Sequence, residues 1–250
     1  QFGSPVFVVS EEQLRRNIRR FQKGFETGWT QGPVKVMPAA KACWISAIQR
    51  IIASEGCGCD IYSAGELAVA LASGFDPQFI SVNGVPKDRD HIFNAIKQGA
   101  RITIDGMEEF DAIEQSAKEL NTTAKVRLRL KPILSGFTRY SNFVPTGPLS
   151  TDLAAIAYKG GLPRDAVISI GKRAQRSPHI EITGFHQHHG RHHASTRYWE
   201  EQMKAYAEEI GIVSRALGGL QPKEIDIGGG FACPRDPFGS EIKYSEPYEF

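Results

Sequence analysis

Short apolar runs of β type alternate with amphipathic helical patterns along most of this chain, and that rhythm leaves few folds open. The β-type runs fall at residues 34–40, 59–62, 79–83, 100–104, 126–130, 180–186 and 224–227. Between them lie helical patterns. Ser10-Glu11-Glu12-Gln13 reads as a capping box ahead of Leu14, Ile18 and Phe21, and Ile45, Ile48, Ile51 and Ile52 share a face. Ser63-Ala64-Gly65-Glu66 is a second capping box, with Gly74 as its C-terminal stop, and further helices are expected over 91–98, 108–119 and 198–217. Strand–helix alternation at this spacing builds right-handed βαβ units on a parallel sheet. The seven runs fall one short of a closed (β/α)8 barrel. A stretch over 133–152, rich in Ser, Thr, Gly and Pro with Phe137, Tyr140 and Phe143, breaks the rhythm as a long loop of the functional kind. An earlier run, Pro5 to Val9, is also of β type.

At 250 residues the chain has the size of one α/β barrel, and a formal net charge of +2 gives no reason to invoke nucleic acid or a membrane surface. No continuous apolar stretch reaches transmembrane length, and the first residues lack a basic-then-apolar layout, so a cytoplasmic location is expected. The four cysteines lack the paired C-x-x-C spacing of a zinc site and the density of a disulfide scaffold. Cys57 and Cys59 are read as small buried strand residues.

Three groups of residues carry chemistry. Lys41 ends the run over 34–40, where a barrel strand delivers side chains to a pocket, with small residues Ala39, Ala40 and Ala42 around it. A partly desolvated amine at that place would have the lowered pKa that suits it to covalent work on a carbonyl. A snorkelling surface lysine is the plainer alternative. His186 and His188 alternate on one strand face, with His189, His192 and His193 close behind. They could flank an aromatic ring, or, with Asp60 and Asp105, ligate a metal; His192 and His193 also suit an exposed loop. Gly228, Gly229 and Gly230 directly follow an apolar run, where backbone N–H groups of late barrel loops bind phosphate. A ligand-free tight turn is the alternative. Arg129, on a buried-type run, needs an anionic partner such as a phosphate-bearing network or Asp60.

The segments Val36-Met37-Pro38-Ala39-Ala40-Lys41-Ala42, Gly58-Cys59-Asp60-Ile61-Tyr62-Ser63-Ala64-Gly65-Glu66-Leu67, Val126-Arg127-Leu128-Arg129-Leu130, Gly184-Phe185-His186-Gln187-His188-His189-Gly190 and Asp226-Ile227-Gly228-Gly229-Gly230-Phe231 occur in one order. In that order they resemble the fold-type III pyridoxal-phosphate decarboxylases, which act on diaminopimelate, ornithine and arginine. The resemblance runs from about residue 5 to 231. It implies an alanine racemase-like barrel over 11–245 lacking its last strand, with residues 1–10 giving a strand to a second β-domain. Residues 246–250 would begin a continuation that holds most of that domain.

The same resemblance implies that Lys41 forms the covalent link to the aldehyde of pyridoxal 5'-phosphate. His188 would stack on its ring, Gly228, Gly229 and Gly230 would bind its phosphate, and Asp60 and Arg129 would complete the surrounding network. It also implies a homodimer with shared active sites and no metal. Two departures stand out. Arg191 replaces the serine that the family places after the glycine of its histidine motif; arginine can bind phosphate bidentately. The Glu-Pro-Gly-Arg type motif that pairs with the pyridine nitrogen is absent, Glu246-Pro247-Tyr248 being a superficial echo, so these residues alone are expected to turn over little or no substrate. Other readings are a different α-carbon reaction on the same cofactor, such as racemisation, a metal-dependent hydrolase on His186 and His188, and a non-catalytic regulatory relative.

Overall fold

The computed structural model describes residues 3–84, 86–131, 160–188, 194–235, 239–244 and 248–249, with the backbone of 138–139 and 149–150. The chain divides into two compact units, Gln1–Ile102 and Thr103–Phe250.

In the first unit, helix α1 (Glu11–Gly28) starts as its capping sequence predicts, Ser10 Oγ accepting from the Gln13 amide at 3.2 Å. Its inner face buries Ile18, while Arg15 and Arg19 both clasp Glu55 at 2.6 Å, just past α2 (Ser46–Ser54). Hydrogen bonds from Arg19 and Arg15 hold the Glu55 carboxyl down to about 2. Helix α3 (Ala64–Ala72) is capped by Ser63, whose Oγ accepts from Glu66 N at 3.2 Å, and Gly74 beyond its end takes φ +87°. Strands β1 (Cys59–Ile61), β2 (Ile80–Val82) and β3 (Arg101–Ile104) run parallel, with Cys59 opposite Ile80 and Ser81 opposite Arg101. Helix α4 (Arg89–Gln98) supplies the crossover between the last two. Cys59, Ile61, Ile80, Val82 and Ile102 have no exposed surface, as parallel strands covered on both faces require.

One expectation for this unit needs correction. Residues 34–38 are extended but form no regular strand. The Gly58 and Asp60 amides donate to the Val36 and Pro38 carbonyls at 2.9 and 3.1 Å, and the only assigned pairing is an isolated bridge between Ala39 and Asp60. Pro38 has no N–H to return to a ladder, and the chain then tightens into a single 3₁₀ turn, Ala40–Ala42. Residues 5–9 pair with no strand among the described residues. Phe7 is 90% exposed and Val8 88%, an unusual state for large apolar side chains in sequence.

In the second unit, β4 (Ala124–Arg129), β7 (Ile180–His186) and β8 (Glu224–Asp226) are parallel neighbours in the order β4-β7-β8. The β4–β7 register shifts between Val126 and Arg127, skipping Thr183, whose hydroxyl donates to the Val126 carbonyl. Two-residue strands β5 (Thr138–Arg139) and β6 (Leu149–Ser150) pair antiparallel inside the segment expected as a long loop; the rest of that segment lies outside the described residues. Helices α5 (Glu109–Glu119), α6 (Arg164–Ala174) and α7 (Thr196–Ala216) surround this sheet, α5 packing on β4 and α6 on β4, β7 and α7. Helix α6 is absent from the elements expected above. Its buried face, Val167, Ile170, Gly171 and Ala174, has helical spacing, with Asp165 in its first turn and Lys172 and Arg173 in its last. Val126, Leu128, Val167, Ile170, Phe185 and Val213 are fully buried, each contributing roughly 1.5–3 kcal/mol.

Candidate functional site

In the first unit the candidate residues gather around β1. Lys41 sits in the 3₁₀ turn that follows the extended segment, and its side chain is exposed. This differs from the desolvated amine expected from sequence: in place of an apolar wall the Nζ lies 4.0 Å over the centre of the Tyr62 ring, a cation–π seat at the surface. Tyr62 is held there from both sides. Its amide donates to Glu66 Oε2 at 2.6 Å, so the carboxylate of the expected capping box reaches one residue before the cap. Beneath the ring, Gly84 adopts φ +86°, and a Cβ there would fall 2.2 Å from Tyr62 Cδ1. Glycine at 84 thus makes room for the ring that carries the lysine.

Asp60 stands in the middle of β1, half-buried. Its Oδ1 accepts from Asn83 Nδ2, which also donates to Ser81 Oγ at 2.9 Å; Asn83 and Ser81 are buried. Asn83 fixes the orientation of the carboxylate, and sequence reasoning passed over it. The only available signal was an amide at the end of an otherwise apolar run.

In the second unit the polar residues collect at the C-terminal ends of the strands, the rim where barrel enzymes place their chemistry. Asp105 follows β3, Arg129 ends β4, His186 ends β7 and Asp226 ends β8. The anionic partner of Arg129 is Asp105, not Asp60: the two side chains form an ion pair that is 5% and 0% exposed. The other Asp105 oxygen accepts from the Gly161 amide at 2.5 Å. Gly160 leaves the space, since a Cβ there would lie 2.5 Å from Arg129 Nη1. Asp105, offered above as a metal ligand, is thus committed to Arg129 and the Gly161 amide.

A second ion pair starts two residues earlier on the same face of β4, its arginine buried and its aspartate 22% exposed. Arg127, 1% exposed, donates to Asp226 Oδ2 at 2.5 Å. Asp226 Oδ1 accepts from the Gly228 amide at 2.9 Å, closing a turn around Ile227. Gly228 has φ +69° and Gly230 φ +94°. A Cβ at Gly228 would meet the Gln187 carbonyl oxygen at 2.4 Å, whereas one at Gly229 would meet no heavy atom within 4 Å. The turn therefore packs tightly against β7 at its first glycine and opens at its second. The Gly229 amide donates to His188 Nδ1 at 3.3 Å, which leaves the proton of the neutral ring on Nε2. His186 is buried and His188 half-buried. Arg191, with His189, Gly190, His192 and His193, lies outside the described residues, as do Glu246 and Pro247.

An exposed amine seated on an aromatic ring can reach a carbonyl, and a glycine turn whose middle residue is open offers backbone amides to a phosphate. The comparisons with known proteins agree. Residues 11–246 match the family model of the pyridoxal-dependent decarboxylases, specifically their pyridoxal binding domain. The chain belongs to this family. It is 29% identical over 238 residues to a diaminopimelate decarboxylase of Methanocaldococcus jannaschii, covering 94% of this chain and 52% of that protein. It is 30% identical over 233 residues to one of Staphylococcus aureus, covering 92% and 51%. The crystal structure of the diaminopimelate decarboxylase from M. jannaschii superimposes with a TM-score of 0.82 at 26% identity, over 96% of this chain and 54% of that one. The fold is therefore part of an alanine racemase-like (β/α)8 barrel, as the strand–helix rhythm and the family motifs predict. The chain spans about half the length of the curated relatives it matches. Residues of the pyridoxal 5'-phosphate type of site are present and fit it: the open Gly229 offers backbone that a side chain would cover, and the Lys41 amine is accessible.

Proposed function

We propose that the protein is a pyridoxal 5'-phosphate-dependent amino-acid decarboxylase of the diaminopimelate, ornithine and arginine class. The family match across the pyridoxal binding domain carries this reading, supported by relatives named for decarboxylation of diaminopimelate. When bound, the cofactor supplies an electron sink for the pair released as the bond between the α-carbon and its carboxylate breaks.

Lys41 Nζ is the amine that would hold the cofactor through its aldehyde. Seated over the Tyr62 ring, it is held near its working place while remaining reachable. Asp60, fixed by Asn83, lends negative charge to the cofactor network on the same unit. His188 presents its imidazole to the ring with its proton on Nε2, while its Nδ1 accepts from Gly229. The backbone of Gly228, Gly229 and Gly230 cradles the phosphate, assisted by the guanidinium of Arg191. Arg129 and its partner Asp105 fix the C-terminal end of β4 in the second unit. Lys41 and His188 are the catalytic residues; Asp60, Arg129, Arg191 and the three glycines serve binding.

The proposal extends to the surroundings. Residues 11–245 form the barrel, and the exposed apolar residues of the first ten, Phe7 and Val8 among them, suit a strand docked on a second β-domain. The protein works as a homodimer with shared active sites. No helix among the described residues is long and apolar enough to cross a membrane, and we place the protein in the cytoplasm.

Borohydride reduction of the cofactor-loaded protein followed by peptide mapping tests the assignment. The label is expected on Lys41 and lost in Lys41→Ala; a label elsewhere, or none, sinks the reading. Carbon dioxide release from a panel of D- and L-amino acids, including diaminopimelate, ornithine and arginine, identifies the reaction. Inversion at the α-carbon without carbon dioxide would replace decarboxylation by racemisation.

A further inference from the structure

The glycine turn after β8 is gripped by more groups than a simple chain reversal needs. Asp226 uses one carboxylate oxygen on the Gly228 amide and the other on Arg127. Its backbone carbonyl accepts twice, from the Gln187 amide at 3.1 Å and from the Tyr206 hydroxyl at 3.2 Å. The Ile227 carbonyl accepts from Gln187 Nε2 at 2.8 Å, and Gln187 Oε1 in turn accepts from Gln202 Nε2 at 3.3 Å. Gln187 and Gln202 are fully buried, and Arg127 and Tyr206 nearly so. Residues 226–228 are thereby locked to β4, β7 and α7, while among the described residues the Gly229 amide makes the long contact to His188 alone.

An ion pair that takes an arginine fully out of water is poor value as stabilisation, because well-packed apolar residues usually do as well or better. What such a pair can do is specify one conformation. Burial pushes the Tyr206 phenol well above its ordinary value, so its proton stays in place to donate to the Asp226 carbonyl. A backbone turn held rigid before its ligand arrives binds more tightly, since the ordering cost is already met.

We propose that Arg127, Asp226 and Tyr206 are positioning residues that preorganise the Gly228–Gly230 turn for the phosphate of the cofactor. This rests on the assignment of that turn to the phosphate under the proposed function. None of the three is required to touch the cofactor. They act through the Gly228 amide and the Asp226 carbonyl, and so influence only the phosphate end of the ligand.

The test compares two ligands, pyridoxal 5'-phosphate and pyridoxal, by equilibrium dialysis against the purified protein, with thermal unfolding alongside. Three variants are used: Tyr206→Phe, Arg127→Met with Asp226→Ala, and Arg127→Met with Asp226→Asn. Replacing Arg127 in both doubles avoids stranding a buried charge. The Met/Ala double is expected to weaken pyridoxal 5'-phosphate about tenfold or more, or ~1.4 kcal/mol. Pyridoxal affinity should change less than about threefold, ~0.65 kcal/mol on the same scale. The Met/Asn double keeps an acceptor for the Gly228 amide and should recover most of that loss. Tyr206→Phe should shift the same ligand in the same direction by a smaller factor, and it carries the test if the doubles fail to fold. Equal losses for both ligands, or none for either, would overturn the proposal. If the unaltered protein itself binds the two ligands equally, the phosphate assignment has failed and the positioning role falls with it.

Discussion

Gly228 and Gly229 are adjacent, chemically identical and expected to respond oppositely to the same substitution. At Gly228 an added Cβ enters a residue at φ +69°, a left-handed conformation that costs an L side chain about 1–2 kcal/mol. It also lands 2.4 Å from the Gln187 carbonyl oxygen, so one of the two must retreat by about 1 Å to reach ordinary contact. Gln187 cannot yield cheaply, because its amide and its side chain are both bonded to the turn itself. Overpacking of this kind costs about 1–3 kcal/mol, which brings Gly228→Ala to a loss of ~2–5 kcal/mol. Gly229→Ala meets no neighbour within 4 Å and has no left-handed penalty. It should be neutral or stabilise by up to about 1 kcal/mol, through a less flexible unfolded chain. Urea unfolding reads both. With slopes of about 1–3 kcal/mol per molar, the Gly228 variant should lose most of a molar or more in midpoint at unchanged slope. Unfolding free energies for the two variants within ~0.5 kcal/mol of each other would show that the tight approach of the turn to β7 is wrong.

Two further outcomes are expected. Asp105→Ala should destabilise by about 3–5 kcal/mol, because it removes the carboxylate from a buried Arg129 and the acceptor from the Gly161 amide, while Asp105→Leu with Arg129→Met should cost far less; a loss under about 1 kcal/mol in the single variant would refute the buried pair. His91 is buried with neither ring nitrogen hydrogen-bonded among the described residues, and burial lowers its pKa. The unfolded chain takes up that proton below about pH 6.5 and the folded chain resists it. Stability is thus complete above that pH and falls as pH drops towards the folded value. His91→Leu should flatten the decline between pH 7 and 5 measured by chemical denaturation, and identical pH slopes would contradict this.

Much of this architecture can be read from the residues, because its signals are local. Alternating apolar runs placed β1, β2, β3, β4, β7 and β8 to within two residues at each end, and Ser10 and Ser63 marked their helices through side-chain caps that need only a few neighbours. Helix α6 carried an equally legible spacing at Val167, Ile170 and Ala174, but it follows a compositionally loop-like stretch that drew attention away. The strand over 34–40 failed for a reason visible in the letters, since Pro38 withholds a donor. What the letters do not show is pairing at a distance. Arg129 on β4 called for an anionic partner and Arg127 passed without one, yet their partners, Asp105 and Asp226, lie 24 and 99 positions away and were settled only by the fold. Asn83 and Tyr62 were overlooked because an amide and a phenol acquire meaning from what stands beside them.

Strands β4 and β7 open on Ala124 and Ile180 and finish on Arg129 and His186. Mutational tolerance should follow that gradient. Changes near the opening ends are judged by volume alone, and changes near the finishing ends by what they bond. A lineage built this way can revise its chemistry at one edge and leave the hydrocarbon interior almost untouched, so new substrate preferences need not be relearned together with the ability to fold.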